Sequence, residues 1–140
     1  MKRPIFYFLF TILLASCDPF YIAEIKNETD GDIFLQISFD RETLEESWNG
    51  RPYIPFLNSF PNWANIDKAI IVDTVNLIYT YKITSRNSFP LESGVGHNPD
   101  FSLFKSILVS KPDSLIFDDK QAIKNAFIKT DVRKWELKIN

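Results

Sequence analysis

The sequence predicts a mainly β protein, an antiparallel β-sandwich of about seven strands with one short α-helix in its C-terminal half. Three segments carry that expectation. Ile33, Leu35, Ile37 and Phe39 alternate with Phe34, Gln36 and Ser38, and Leu77, Tyr79, Tyr81 and Ile83 alternate with Ile78, Thr80 and Lys82. At the C-terminus, Trp135, Leu137 and Ile139 alternate with Lys134, Glu136 and Lys138. A period of two sends successive side chains to opposite faces, so each segment reads as a strand with one dry face and one wet face. Antiparallel sheets carry that pattern.

The other elements follow in chain order. Residues 21–25 form a further apolar strand. Between them and Ile33 lies Asn27-Glu28-Thr29-Asp30-Gly31-Asp32, where Asp-Gly predicts a hairpin. A short helix is read over residues 41–48. Strands are expected at 69–75, 106–110 and 114–117, with Lys111-Pro112-Asp113 as the turn between the last two. Asp118 is the expected cap of the main helix, with Gln121 completing a capping box. Ile123, Ala126 and Phe127 then share one helical face. Strands of this number and spacing imply an immunoglobulin-like sandwich.

Length and composition fit one globular unit. Of 140 residues, 45% are hydrophobic and 24% charged, a balance that supports a core. Setting aside residues 1–16 leaves 124, enough for a single domain over 17–140 without disulfides. Lys2 and Arg3 fall in the leader, so the remainder holds 14 of the 16 basic residues against all 18 acids, a net charge near −4. That is no footprint for neutralising phosphates, and a nucleic-acid partner is not expected. The chain contains one cysteine, which cannot staple its own fold.

The position of that cysteine explains it. Lys2 and Arg3 precede an apolar run, residues 4–15, of about 18 Å as a helix. A bilayer core of about 30 Å needs a longer span, so the run reads as an export signal over residues 1–16. It ends in Leu14-Ala15-Ser16-Cys17, which resembles the lipobox of bacterial lipoproteins. The resemblance implies cleavage before Cys17, a diacylglycerol on its thiol and an acylated new amino terminus. Two or more chains anchor stably where one is marginal. The implied partner is the lipid bilayer, held through acylated Cys17, at the cell membrane or outer membrane. Surface-displayed lipoproteins of Bacteroidota often carry an acidic or lysine-acidic stretch after the cysteine. Here Asp18-Pro19-Phe20-Tyr21-Ile22 is mostly apolar, which favours a periplasm-facing anchor with almost no tether.

More broadly, the chain is similar to short uncharacterised lipoproteins of Bacteroidota. The shared features are an early strand ending in Asn27-Glu28-Thr29, a mid-chain strand leading to a Pro/Gly/Ser segment, and Asp113-Ser114-Leu115 before a lysine-containing helix. That group implies no common activity.

The candidate sites are few. Residues 48–63 hold five aromatics and three prolines with no strand or helix periodicity. Trp48, Tyr53, Phe56, Phe60 and Trp63 are the candidate binding residues, as rigid rings that stack on sugars or peptides. The alternative is that these rings fold back over an open part of the sandwich. His97 is the one histidine, in a Gly-containing turn, and no metal site or cofactor is expected from it. Glu45-Glu46 and Asp118-Asp119 are adjacent acids better read as caps and solvated faces than as a catalytic pair. No Gly-x-Ser-x-Gly elbow or phosphate-binding glycine loop is present, so no catalytic residue is assigned. Asp73-Thr74-Val75 and Asp113-Ser114-Leu115 resemble the acceptor for O-glycosylation of exported Bacteroidota proteins, making Thr74 and Ser114 candidate acceptors. Asn27-Glu28-Thr29 matches a eukaryotic sequon but reads here as turn chemistry.

The functional expectation is a non-catalytic envelope module with a structural or interaction role, its partner an envelope protein or a glycan. The alternative is a glycan- or peptide-binding lipoprotein that uses the 48–63 loop.

Overall fold

In the computed structural model, residues 20–61, 67–96, 98–111 and 113–140 are described. Cys17, Trp63 and His97 lie outside them, as does the signal over residues 1–16. Two sheets pack face to face. One has four strands in the order β5-β1-β9-β8, the other five in the order β3-β4-β2-β6-β7. The strands are β1 (Phe20–Asn27), β2 (Ile33–Phe39), β3 (Ile71–Asp73), β4 (Ile78–Ile83), β5 (Ser88–Val95), β6 (Phe104–Ser110), β7 (Leu115–Phe117), β8 (Ile128–Asp131) and β9 (Lys134–Ile139). Three short helices join them: α1 (Arg41–Trp48), α2 (Ile54–Asn58) and α3 (Lys120–Ala126). The sandwich is therefore as expected, with nine strands in place of about seven.

The alternating segments pack as their pattern dictates. Ile33, Leu35, Ile37 and Phe39 of β2 are buried, as are Tyr79, Tyr81 and Ile83 of β4 and Trp135, Leu137 and Ile139 of β9. They join Ala23, Ile25, Phe89, Leu91, Phe104, Ile107 and Val109 in one core between the sheets. Each fully buried aliphatic side chain there contributes about 1.5–3 kcal/mol relative to exposure.

Two strands escape the sequence pattern. β5 contains Pro90 and Gly94, which read as breakers, but it is an edge strand, where a missing N–H costs no ladder bond. Its Phe89 and Leu91 are still fully buried, and the β1–β5 register shifts between Ala23 and Glu24, opposite Pro90. β8 has all four residues exposed and so no apolar period to find.

The predicted hairpin between β1 and β2 does not form. β1 pairs with β5 and β9, and β2 with β4 and β6, so the loop between them carries the chain across to the other sheet. Gly31 does not take a positive φ, which the tight two-residue hairpin turn requires. Asn27 organises the crossing instead. Fully buried, its Nδ2 donates to the carbonyls of Gly31 (2.8 Å), Ile83 (3.1 Å) and Thr84 (3.1 Å). Its Oδ1 accepts from the backbone N–H and hydroxyl of Thr29. The turn reading of Asn27-Glu28-Thr29 fits that geometry. The antiparallel expectation has one exception, since β1 and β9 run parallel from Ile22↔Lys134 to Asn27↔Ile139.

The helices also differ in detail from expectation. α1 forms over the predicted residues, with Asp40 accepting from the Thr43 N–H at 3.0 Å and Asn49 closing it in the left-handed region at φ 48°. α3 is capped by Asp119 rather than Asp118, and Gln121 bonds Asn125 instead of reaching back. Either aspartate suits an N-cap, and the choice falls to the one that lets Ile123 enter the core.

Candidate functional site

The aromatic segment lies across one side of the sandwich. α2 sits within it and was not anticipated, because Pro55 masks a five-residue helix that tolerates proline in its first turn. Leu57 of α2 is fully buried. Phe60, only 6% exposed, is the keystone of this side. Its ring lies 5.2 Å from Phe39, 6.0 Å from Phe104 and 6.4 Å from Tyr81, all in the five-stranded sheet. It also lies 6.4 Å from Phe89 in the four-stranded sheet. Phe60 thus bridges both layers and belongs to the core, with no face free for a ligand.

Trp48, Tyr53 and Phe56 are half-buried and pack against that core. Trp48 and Phe56 meet at 4.8 Å, and Phe56 reaches Phe60 at 5.9 Å. The Tyr53 hydroxyl accepts from Arg41 at 3.0 Å, while the same guanidinium donates to the Val75 carbonyl at 2.6 Å. A shallow, open depression of about 540 Å³ on this surface is lined by Ser47, Trp48, Arg51 and Pro52. The fifth ring, Trp63, is outside the described residues.

The candidate glycosylation residues, Thr74 and Ser114, are both exposed. Asp73 has a local task of its own, accepting from the Asn76 backbone N–H (3.0 Å) and side-chain amide (2.7 Å) and from the Val75 N–H (3.0 Å), which holds its carboxyl below the ordinary aspartate range. Glu45 and Glu46 lie exposed on α1, and Asp118 is exposed beside the Asp119 cap.

Folding gathers two acidic groupings that the sequence reading missed. Glu92 of β5 accepts from the Tyr21 hydroxyl (2.6 Å) and the Asp100 N–H (3.0 Å) on one oxygen, and from the Phe101 N–H (2.8 Å) on the other. Burial pushes its carboxyl above the ordinary glutamate range, against the pull of those bonds. Gly94 permits the arrangement, because a Cβ there would lie 3.0 Å from the Tyr21 hydroxyl oxygen. The second grouping is on the outer face of the four-stranded sheet. There Lys134 Nζ contacts Glu24 and Glu136 at 2.8 Å each, and its ammonium is pushed up to about 12 by those carboxylates. Each acid in these groupings is already engaged, Glu92 by a hydroxyl and two backbone N–H groups and Glu24 and Glu136 by Lys134. No local signal marks Glu92, because its partners come from residues 8, 9 and 71 positions away.

The chemistry with the sharpest signature lies at the N-terminus. Residues 1–17 match the sequence pattern described as the prokaryotic membrane lipoprotein lipid attachment site. This chain carries a lipoprotein signal. The match supports a lipid-anchored, membrane-associated lipoprotein with Cys17 as its acylated residue. Neither a curated protein nor a solved structure matches the chain. Among the described residues, no helix is long and apolar enough to cross a membrane, and no group of three or more His, Cys, Asp or Glu side chains is placed to hold a metal ion.

Proposed function

We propose that this lipoprotein is a non-catalytic module of the cell envelope, facing the periplasm from the cell membrane or outer membrane and serving a structural or interaction role. One observation carries the reading: the attachment signal ends at Cys17, and β1 begins at Phe20. The folded domain therefore starts almost at the lipid and is held close to the membrane. A kinship with short lipoproteins of Bacteroidota, resting on the residues quoted for it above, is part of the same proposal. The acids that folding gathers are spent on cohesion, which favours binding over catalysis. Replacing Cys17 by Ala is expected to leave unprocessed precursor and abolish labelling by a fatty-acid probe in the native host. Normal processing and labelling of that variant would refute the reading.

A second reading is favoured by the depression beside Trp48. A half-buried indole next to Arg51 and Pro52 offers a stacking surface and a cation, which suits a glycan or peptide. Trp48→Ala then loses binding to a glycan or peptide array while its unfolding midpoint stays close to wild type. A large fall in the midpoint with no change in array binding assigns Trp48 to packing alone. Sugars on Thr74 and Ser114 belong to this proposal as well, and intact mass of the native protein reads them directly.

A further inference from the structure

Only Asp18 and Pro19 separate Cys17 from the first residue of β1. Fully extended, that connection spans about 10 Å. β1 is held from its start, since Phe20 pairs with Val95 of β5 and the Ile22 N–H donates to the Arg133 carbonyl at 2.9 Å. An acyl group on Cys17 consequently dictates which end of the sandwich meets the bilayer.

Three large apolar side chains stand exposed where the four-stranded sheet reaches that end: Phe20 (50%), Val95 (67%) and Val132 (74%). Phe20 and Val95 are direct register partners, so their side chains share a face of the sheet. Val132 lies in the turn between β8 and β9, and β9 runs parallel to β1, which brings this turn to the same end. The other sheet finishes differently on this side. There β2 leads into α1, whose Glu42, Glu45 and Glu46 are exposed, and the β3–β4 turn exposes Val75 beside Arg41. Single exposed apolar residues are ordinary. What sets these three apart is their place around the start of β1, the strand nearest the anchor: Phe20 on β1, Val95 on its neighbour β5 and Val132 in the β8–β9 turn.

We propose that Phe20, Val95 and Val132 form a membrane-contacting tip, which docks into the headgroup region of the bilayer that holds the protein's own lipid. The proposal rests on Cys17 being acylated. Burial of apolar surface in the interface favours insertion, and the anchor keeps the tip at high effective concentration beside it, so a weak preference is expressed. Asp131 and Arg133 flank Val132 with opposite charges, so docking is apolar in origin and does not require anionic lipid. The domain then stands in a fixed orientation, with the Asn27 end pointing away from the membrane.

The test uses the full chain, exported and acylated through its own signal, purified and reconstituted into phosphatidylcholine vesicles. Cys17 is the sole cysteine, so Val95→Cys, Val132→Cys and the far-end control Asp30→Cys each carry one environment-sensitive fluorophore. Labels at 95 and 132 are expected to shift to shorter wavelength and be quenched by brominated acyl chains, with neither effect at 30. If the protein floats with the vesicles while all three labels stay in water, the tip is refuted and the anchor stands. If the wild-type protein fails to float and its Cys17 is bare, the anchor reading falls and the tip falls with it.

Discussion

At one end of the β1–β9 layer, Asn27 ties together the loops of both sheets through buried hydrogen bonds, and at the other Phe20, Val95 and Val132 face outward with nothing described over them. The difference follows from what each end must meet. A loop crossing between sheets in water has to satisfy the carbonyls it buries, and one amide side chain does so at Gly31, Ile83 and Thr84. The opposite end begins three residues after the lipid attachment site at Cys17, and in the proposed docking its exposed apolar side chains meet lipid rather than water. Between the two, Phe60 closes the side of the sandwich from core contacts alone. Polar satisfaction, aromatic packing and apolar exposure thus divide among three regions of one small fold.

The largest expected effect breaks the side wall. Phe60→Ala removes a ring packed against five other aromatics, and chemical denaturation should show a loss of about 3–5 kcal/mol. A loss under about 1 kcal/mol would mean that Phe60 is not part of the core. Next comes the water-facing end. Asn27→Ala removes the one donor shared by the carbonyls of Gly31, Ile83 and Thr84, of which Gly31 keeps the Thr29 hydroxyl and Thr84 keeps the Asn87 N–H, and should cost about 1–3 kcal/mol. Asn27→Asp cannot rescue it, because a carboxylate has no N–H to give.

A smaller effect sharpens the comparison near the anchored end, where Glu92 joins Tyr21 to the 100–101 turn. Glu92→Gln places an amide N–H₂ where a donor already points, and should cost about 1–3 kcal/mol. Its pH dependence has a definite sign. Burial raises the folded carboxyl above its unfolded value, so the stabilisation from Glu92 is complete below the ordinary glutamate range and is lost as pH rises through the raised value. The penalty of Glu92→Gln therefore grows as the pH is lowered from 7.5 toward about 4.3. Asp40 behaves oppositely. Its carboxyl is held low, first by the Thr43 N–H and also by Lys120, so its contribution is present above the ordinary aspartate range and fades in acid. An Asp40→Asn variant should accordingly approach wild-type stability as pH falls.

The smallest effect is expected at the tip. Phe20→Ser with Val95→Ser and Val132→Ser removes exposed side chains only, and the unfolding free energy without lipid should move by no more than about 0.5 kcal/mol per site. A cooperative loss well beyond that would place these residues in the fold's own packing. Tyr81→Phe is likewise expected to be neutral or stabilising, because its buried hydroxyl has no hydrogen-bond partner among the described residues.

The sequence by itself determined which residues face inward along β2, β4 and β9, where α1 lies, and where the lipid is attached. Those are local matters: a period of two, a capping aspartate with a left-handed asparagine, and four residues ending at a cysteine. Tertiary structure alone decided which strands meet. It separated β1 from β2, set β1 parallel to β9, admitted Pro90 and Gly94 to an edge strand, turned Phe60 inward, and gave Glu92 partners from distant turns. A side chain's preference for a dry or wet face is written in its neighbours along the chain. Hydrogen-bond pairing between backbones is chemically the same for nearly every residue, so the choice of partner waits for the sheets to close on a common core.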